Sequence, residues 1–341
     1  MRSSSASRSA PPAGSFRRRL NLAVRTVVSA GLIALLLHQA GGRSILEQVL
    51  GVSPAWFALG LLLGVGAAGL QANQWRGLLE VVGLPRTYAA TLRADTAARG
   101  FDALLPSSIG GDVIRVSLAT DRPDQRGRAV VSVLLRRLMQ LPGLVAVLGA
   151  GSLASLGLSY AGPVRAIAAS CAVAGVLGGL LVLLAARAGA LQRLPRRLRV
   201  LAQSVTETSA AAGGHPFFRA SLRGLVFWCV VALSQVCFTV AAGVHVPFGY
   251  AVAVVAVVNT LSLLPISVGG YGLREGAFGA FLAASGHATL AQGAVVGACL
   301  SLQTFAFGLI GGLVYLLSGR QVAAPVVPAG PAPTAAVESV S

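Results

Sequence analysis

Long apolar stretches separated by short arginine-bearing segments make up most of this 341-residue chain. Six stretches approach or exceed the roughly 20 apolar residues that a bilayer-crossing helix needs. The predicted spans cover residues 22–38, 55–73, 129–151, 164–186, 224–243 and 292–317. Trp75 follows the second span and is predicted at interface depth. Because the runs lack the strict alternation of a membrane β-barrel, the pattern predicts an all-α polytopic membrane protein.

One motif, L-L-P-x-S-x-G-G-x-x-x-R, occurs twice between these spans, at residues 104–115 and 263–274. The copies lie 159 residues apart and share seven of twelve positions. Proline disfavours a helical conformation for the residue before it, so Pro106 and Pro265 each predict a helix break. The alternative interpretation is two unrelated glycine motifs that pack helices together.

We interpret residues 87–120 and 249–286, which contain the motifs, as two re-entrant helical hairpins. With the N-terminus in the cytoplasm, this topology leaves only Arg43 and Arg165 outside the cell, as the positive-inside rule favours. The first hairpin then opens to the cytoplasm and the second to the outside, so the copies form an inverted repeat. Transporters with such repeats place their substrate site between the two copies.

The motif has the chemistry of an anion site. Serine and glycine let the backbone approach a ligand, and a helix N-terminus favours negative charge. Arg115 and Arg274 follow the glycine pairs at the same distance, and a guanidinium grips a phosphate with two bonds. The motif residues predicted to bind the substrate beside these arginines are Ser108, Gly110, Gly111, Ser267, Gly269 and Gly270.

Ten charged side chains are predicted at membrane depth, where each is costly. The arginines are Arg93, Arg99, Arg115, Arg136, Arg137 and Arg274, and the acids are Asp95, Asp102, Asp112 and Glu275. Asp95, Arg99 and Asp102 share one helix face, which suits a cavity lining. We expect a net positive cavity whose acids pair with arginines when no substrate is bound. Arg99, Arg136, Asp102, Asp112 and Glu275 are further candidate substrate-binding residues, and purely structural ion pairs are the alternative.

All 27 basic residues are arginines, and the formal charge is +17. Most lie in loops where they set topology, so we expect no nucleic-acid partner. The four cysteines lie singly within predicted spans, without metal-ligand spacing, and we expect no metal or cofactor. Residues 20–318 are predicted to form one membrane domain, with disordered tails at 1–19 and 319–341. Both termini are predicted to be cytoplasmic, in an inner or plasma membrane.

Residues 101–115 resemble the first signature of the lysylphosphatidylglycerol synthase transmembrane region, also called the flippase-like domain family. Residues 265–276 closely resemble its second signature, and 132–137 are similar to its next helix. Leu135 or Arg136 stands where that helix usually carries an acidic residue. Larger members add a soluble domain that attaches an amino acid to phosphatidylglycerol, for which we expect no room here. The resemblance therefore implies the lipid-translocating part alone.

Three functions fit these observations. The first is a flippase or scramblase for an anionic phospholipid or a polyprenyl-phosphate lipid, with Arg115 and Arg274 on the phosphate. The second is a membrane enzyme acting on a lipid phosphate, for which Asp112 or Glu275 would be the base or nucleophile. The third is an accessory subunit that binds lipid without moving it. We expect a transporter and not an enzyme, and the sequence predicts no oligomeric state.

Overall fold

The computed structural model describes residues 27–39, 41–104, 110–187, 213–263 and 270–318, with isolated positions between 199 and 208. These parts of the chain fold into α-helices joined by short turns. The helices are α1 (Val27–Gln39), α2 (Gly42–Leu50), α3 (Pro54–Val81), α4 (Tyr88–Leu104), α5 (Gly110–Leu118), α6 (Arg126–Ala154), α7 (Gly162–Arg187), α8 (Gly214–Ala241), α9 (Phe248–Ser262), α10 (Leu273–Ala283) and α11 (Leu290–Ser318).

Five helices in the described ranges are long and apolar enough to cross a membrane, namely α3, α6, α7, α8 and α11. They correspond to five of the six predicted spans. The remaining one, at 22–38, is described only as the 13-residue helix α1, so its crossing stays a prediction. The second predicted span ends too early, because α3 continues to Val81.

Helix lengths repeat along the chain. A long helix, two short helices and a second long helix of 28, 17, 9 and 29 residues form the first series, α3 to α6. The second series, α8 to α11, has 28, 15, 11 and 29 residues. At 1.5 Å per residue the long helices measure about 40 Å, whereas α4 and α9 measure only about 25 Å. Neither α4 nor α9 is therefore long enough by itself to cross a bilayer of about 30 Å, and the re-entrant course of the short pairs stays a prediction.

The two series pack head to tail through their first helices. Gln74 of α3 donates a hydrogen bond to the carbonyl of Ala220 in α8 at 2.8 Å. Near the opposite end, Ser234 of α8 donates to the carbonyl of Gly60 in α3 at 2.7 Å. The donors lie 160 residues apart, as do the acceptors, so the two contacts are equivalent under the repeat. The helices are consequently antiparallel and related by an approximate two-fold axis.

Each short pair forms a helical hairpin. In the first, Gly111 at the start of α5 contacts Asp102 near the end of α4, and Arg86 before α4 reaches Asp121 after α5. The second shows the same course. Arg274 at the start of α10 contacts Ser262 at the end of α9, and the Tyr250 hydroxyl donates to the carbonyl of Phe281.

The hairpins open at opposite ends of the molecule. The first begins after the C-terminal end of α3, and the second begins after the C-terminal end of α8. Those ends lie far apart because α3 and α8 are antiparallel; the amide of Ser53, at the start of α3, donates to the carbonyl of Ala241 at the end of α8. The arrangement is that expected for inverted repeats.

Glycines let each hairpin pack closely on the last long helix of the other series. A Cβ added to Gly311 of α11 would lie 2.1 Å from the carbonyl oxygen of Thr96 in α4. A Cβ on Gly151 of α6 would lie 2.7 Å from the backbone of Ala253 in α9. The repeats are thus interlocked, with each hairpin held by a helix from the other copy.

Candidate functional site

Asp95 of α4 is the centre of a charged cluster that the first hairpin forms with α6. Its side chain is only 1% exposed. One carboxylate oxygen accepts hydrogen bonds from Arg115 Nε at 2.8 Å and Arg136 Nη1 at 2.6 Å. The other accepts from Arg99 Nε at 3.2 Å. A single carboxylate therefore joins three guanidinium groups from α4, α5 and α6.

Arg115 has every one of its three nitrogens engaged by a carboxylate. Besides Asp95, it donates from Nη2 to Asp102 at 2.9 Å and from Nη1 to Asp112 at 2.9 Å. Arg115 is 4% exposed, so its positive charge is buried and is neutralised by carboxylates of the protein. The expectation that the three aspartates pair with arginines is confirmed. Three of the five N–H donors of Arg115 are thus taken up by carboxylates of the protein itself.

The outer rim of the cluster is more open. Arg137 of α6 donates from Nε to Asp112 at 2.9 Å, and its side chain is 51% exposed. Asp102 is 33% exposed. The hairpin is therefore attached to α6 both by a buried contact, Arg136 to Asp95, and by an accessible one, Arg137 to Asp112.

Close approach explains the second glycine of the first motif. The Gly111 amide donates to Asp102 Oδ1 at 3.0 Å, and an added Cβ would lie 2.1 Å from that oxygen. Asp102 thus satisfies an otherwise unpaired amide in the first turn of α5, where the helix dipole favours negative charge. A carboxylate of the protein itself occupies the position predicted for a substrate anion at this amide.

Arg274, the equivalent arginine of the second motif, has different surroundings. Its Nε points at Ser262 Oγ at 3.4 Å, and its Nη1 donates to Thr304 Oγ1 at 3.2 Å. Within the described residues no carboxylate forms an ion pair with it. Arg274 and Glu275 are also the only charged residues of α9, α10 and α11. The cation is mostly buried, with hydroxyl partners only.

The prediction that Glu275 pairs with an arginine is wrong. One oxygen of Glu275 accepts the Gly272 amide at 2.7 Å and the other accepts the Ser301 hydroxyl at 2.5 Å. Gly272 is the N-cap of α10, and Glu275 stands at its third position, the glutamate position of a capping box. Because the carboxylate faces the helix start and α11, it leaves Arg274 without a counter-ion.

A tight turn carries the second motif into α10. Gly270 has φ +85° and Gly272 has φ +80°, backbone angles that glycine adopts without strain. The Arg274 guanidinium folds back over Gly270, so that an added Cβ would lie 2.8 Å from Nε. Tyr271 lies between the two glycines, and its buried hydroxyl has no hydrogen-bond partner among the described residues.

Five predicted residues fall outside the described ranges, namely Pro106, Ser108, Pro265, Ser267 and Gly269. Gly110 is the first residue of α5. The structure therefore places the two arginines and the second glycine of each motif, while substrate contact by all the predicted residues stays a prediction. Within the described part of the chain, no three His, Cys, Asp or Glu side chains group as ligands for a metal ion.

Several residues of the first cluster were not singled out as site residues. Trp75 is fully buried within the protein, and its predicted depth at the membrane interface stays a prediction. Its indole N–H donates to Ser132 at 3.1 Å, and Arg136 lies 5.9 Å from its ring centroid. Gln71 of α3 accepts a hydrogen bond from Arg99. Helical spacing is the sequence signal that was available for these residues, because Gln71 and Trp75 are four positions apart and so lie on one face of α3.

Comparison with known families gives one finding. The model for the lysylphosphatidylglycerol synthase TM region matches residues 22–312, a stretch that includes both hairpins. None of the curated proteins compared with the chain gives a match.

Proposed function

Since this chain belongs to the family of the lysylphosphatidylglycerol synthase TM region, we propose that it is a membrane lipid transporter of the flippase or scramblase type. Its substrate is a phospholipid or polyprenyl-phosphate lipid with an anionic head group. The substrate phosphate binds Arg274 in the second hairpin and passes between the two inverted copies.

One observation carries the proposal, namely a mostly buried arginine with no carboxylate partner among the described residues. An ionised group at membrane depth costs roughly 3 kcal/mol on insertion scales. Structural arginines offset such a cost with a carboxylate, as Arg115 does with three. Two hydroxyls satisfy hydrogen bonds of Arg274, but no described carboxylate forms a direct ion pair with it. An anionic ligand supplies the missing charge.

The inverted hairpins give this site a route to both leaflets. Because the hairpins open at opposite ends, motion of one copy against the other exposes the region between them first to one side and then to the other. We infer that transport is downhill or ion-coupled, since no nucleotide-binding motif occurs in the sequence. Lipid tails remain in the bilayer while the head group moves between the copies.

Arginine distribution supports a cytoplasmic opening for the first hairpin. Arg122, Arg126 and Arg128 lie where its base meets α6. The base of the second hairpin lies at the same end as the start of α3, where Arg43 stands nearby in α2. The positive-inside rule then places both termini in the cytoplasm of an inner or plasma membrane.

Reconstitution in liposomes tests the proposal. Fluorescent phospholipid is placed in both leaflets, and a membrane-impermeant quencher reports the fraction that reaches the outer surface. Wild-type protein should raise that fraction above half, and Arg274→Ala should abolish the increase. Arg43→Ala is the matched control, because Arg43 is 93% exposed and pairs only with Glu47. Equal transport by wild type and Arg274→Ala would contradict the proposal.

The same vesicles distinguish a transporter from the two alternative functions. Mass spectrometry of the lipids before and after incubation should show no new lipid species, whereas an enzyme acting on the phosphate would produce one. Lipid binding without translocation by the wild-type protein would instead indicate an accessory subunit.

A further inference from the structure

Tyr271, in the turn before α10, carries a hydroxyl group that forms no hydrogen bond with a described residue. This hydroxyl is buried. Burying a hydroxyl without a partner is unfavourable by roughly 1–3 kcal/mol on protein mutational scales. Tyrosine hydroxyls in protein interiors usually find a partner. A donor without a partner among the described residues, three positions before Arg274, therefore points to a ligand as its partner.

The register of the two motifs shows what Tyr271 replaces. Asp112 occupies the same position in the first copy, three residues before Arg115, and its carboxylate accepts a hydrogen bond from that arginine at 2.9 Å. Tyr271 stands three residues before Arg274. A phenol is neutral at physiological pH and offers an O–H donor. One copy thus carries an internal counter-ion at this position, whereas the other carries a hydrogen-bond donor.

The local backbone holds Tyr271 in place. It is flanked by Gly270 and Gly272, both with positive φ, and it immediately precedes the N-cap residue of α10. Arg274 follows Tyr271 by three residues, at the start of the helix that this turn leads into. A phenolic O–H and a guanidinium at one turn form a pair of donors suited to two oxygens of a single phosphate.

We propose that Tyr271 is a ligand-binding residue of the second hairpin, donating its hydroxyl hydrogen to a phosphate oxygen held by Arg274. The position also determines which copy takes the ligand, because an acidic residue there supplies the anion internally. This inference rests on the proposed function for Arg274. The ligand chemistry is a phosphate oxyanion, presented either by a lipid head group or by free phosphate.

Two substitutions separate the two parts of the proposal. Tyr271→Phe removes only the hydroxyl and should weaken binding of anionic phospholipid about tenfold, as expected for one hydrogen bond to a charged group. Tyr271→Asp places a carboxylate three residues before Arg274, as Asp112 stands before Arg115, and should abolish binding, as Arg274→Gln should. Tyr88→Phe is the matched control, because Tyr88 is 39% exposed and its hydroxyl makes only a long 3.4 Å contact.

Native mass spectrometry of detergent-purified protein titrated with phosphatidylglycerol measures the binding, and a thermal midpoint within about 2 °C of wild type verifies folding. Wild-type affinity in Tyr271→Phe, or retained binding in Tyr271→Asp, would overturn the inference while leaving the role of Arg274 intact. Retained binding in Arg274→Gln, or none by wild type, would overturn the proposed function together with the inference. Saturable binding of radiolabelled inorganic phosphate without lipid would overturn the lipid assignment.

Discussion

The two hairpins share a motif and a course but differ in how they treat the motif arginine. Arg115 is surrounded by Asp95, Asp102 and Asp112, whereas Arg274 contacts only the hydroxyls of Ser262 and Thr304. The same sequence pattern therefore supports a structural ion cluster in one copy and a cation without a counter-ion in the other. A repeated motif shows a shared fold, and the residues around it determine its chemistry.

Local sequence accounts for this divergence. The first hairpin has aspartates at three positions that face its arginine. The second has Tyr271 where the first has Asp112, and its one acid, Glu275, caps α10. Buried charges require compensation. The first copy supplies that compensation itself, and we infer that the second takes it from a ligand.

Removing Asp95 should give the largest loss of stability. Asp95→Ala leaves Arg99, Arg115 and Arg136 without their shared carboxylate, two of them buried, and breaking a buried pair costs about 3–5 kcal/mol. We expect poor expression and a large fall in the thermal midpoint in detergent. Asp95→Asn, which keeps the shape, should fall nearly as far; a midpoint close to wild type for both would contradict the cluster's structural role.

Substitution of a motif arginine by methionine should destabilise the protein at Arg115 but not at Arg274. Arg115→Met leaves three carboxylates uncompensated and should lower the free energy of unfolding by about 3 kcal/mol. Arg274→Met removes a mostly buried cation that lacks a counter-ion, and should leave stability unchanged or raise it by about 1 kcal/mol. Chemical denaturation of the two variants in detergent measures both effects. Similar losses in the two would remove the distinction between the hairpins.

Replacing Gly270 by alanine should impair lipid translocation more than the stability of the protein. Gly270→Ala introduces an L side chain at φ +85°, which costs about 1–2 kcal/mol, and places its Cβ 2.8 Å from Arg274 Nε. The guanidinium must move, so lipid translocation should fall several-fold in the liposome assay. Unimpaired translocation would show that the position of Arg274 over this turn is unimportant.

A glycine between two helices should be needed for stability only where another atom lies close to the position that an added Cβ would take. Gly311→Ala brings a Cβ to 2.1 Å from Thr96 O and should lower the free energy of unfolding by about 1–3 kcal/mol. Gly178→Ala is the matched control on α7, since nothing lies within 4 Å of its added Cβ. It should be neutral or slightly stabilising, because alanine favours the helix. Thermal midpoints that fall equally would contradict the contact.

The exposed pair Arg43–Glu47 should give the smallest effect. Its side chains are 93% and 65% exposed, so solvent screens the charges. Exchanging Glu47 for alanine should change the thermal midpoint by less than the error of the measurement, and a clear loss would indicate a contact of α2 that exposure does not suggest.

Much of the fold was predictable because its signals are local. Pro106, Pro265 and the glycine pairs predicted both hairpins, and the spacing of Asp95, Arg99 and Asp102 predicted their shared face. Arg136 of α6, which lies 34 residues after Asp102, joins them through tertiary packing that one sequence does not reveal. The contacts of Trp75 with Ser132 and Arg136 likewise depend on packing between α3 and α6.

The role of Glu275 was misjudged although a local signal was available. Gly272 followed three residues later by glutamate is the spacing of a helix cap, and that cap competes with an ion pair for the same carboxylate. Charge counting along the sequence treats every acid as a partner for an arginine. The hydrogen bonds of the carboxylate decide the matter, and those of Glu275 come from the Gly272 amide and the Ser301 hydroxyl.

The amount of phospholipid that stays bound to the Arg274→Met variant tests the division of roles between the two hairpins most directly. Native mass spectrometry counts phospholipids per protein molecule, and the thermal midpoint of the same preparation reports stability. Our account predicts that Arg274→Met loses bound phospholipid at an unchanged or raised midpoint. Retention of the lipid, or a fall in midpoint as large as that of Arg115→Met, would contradict it.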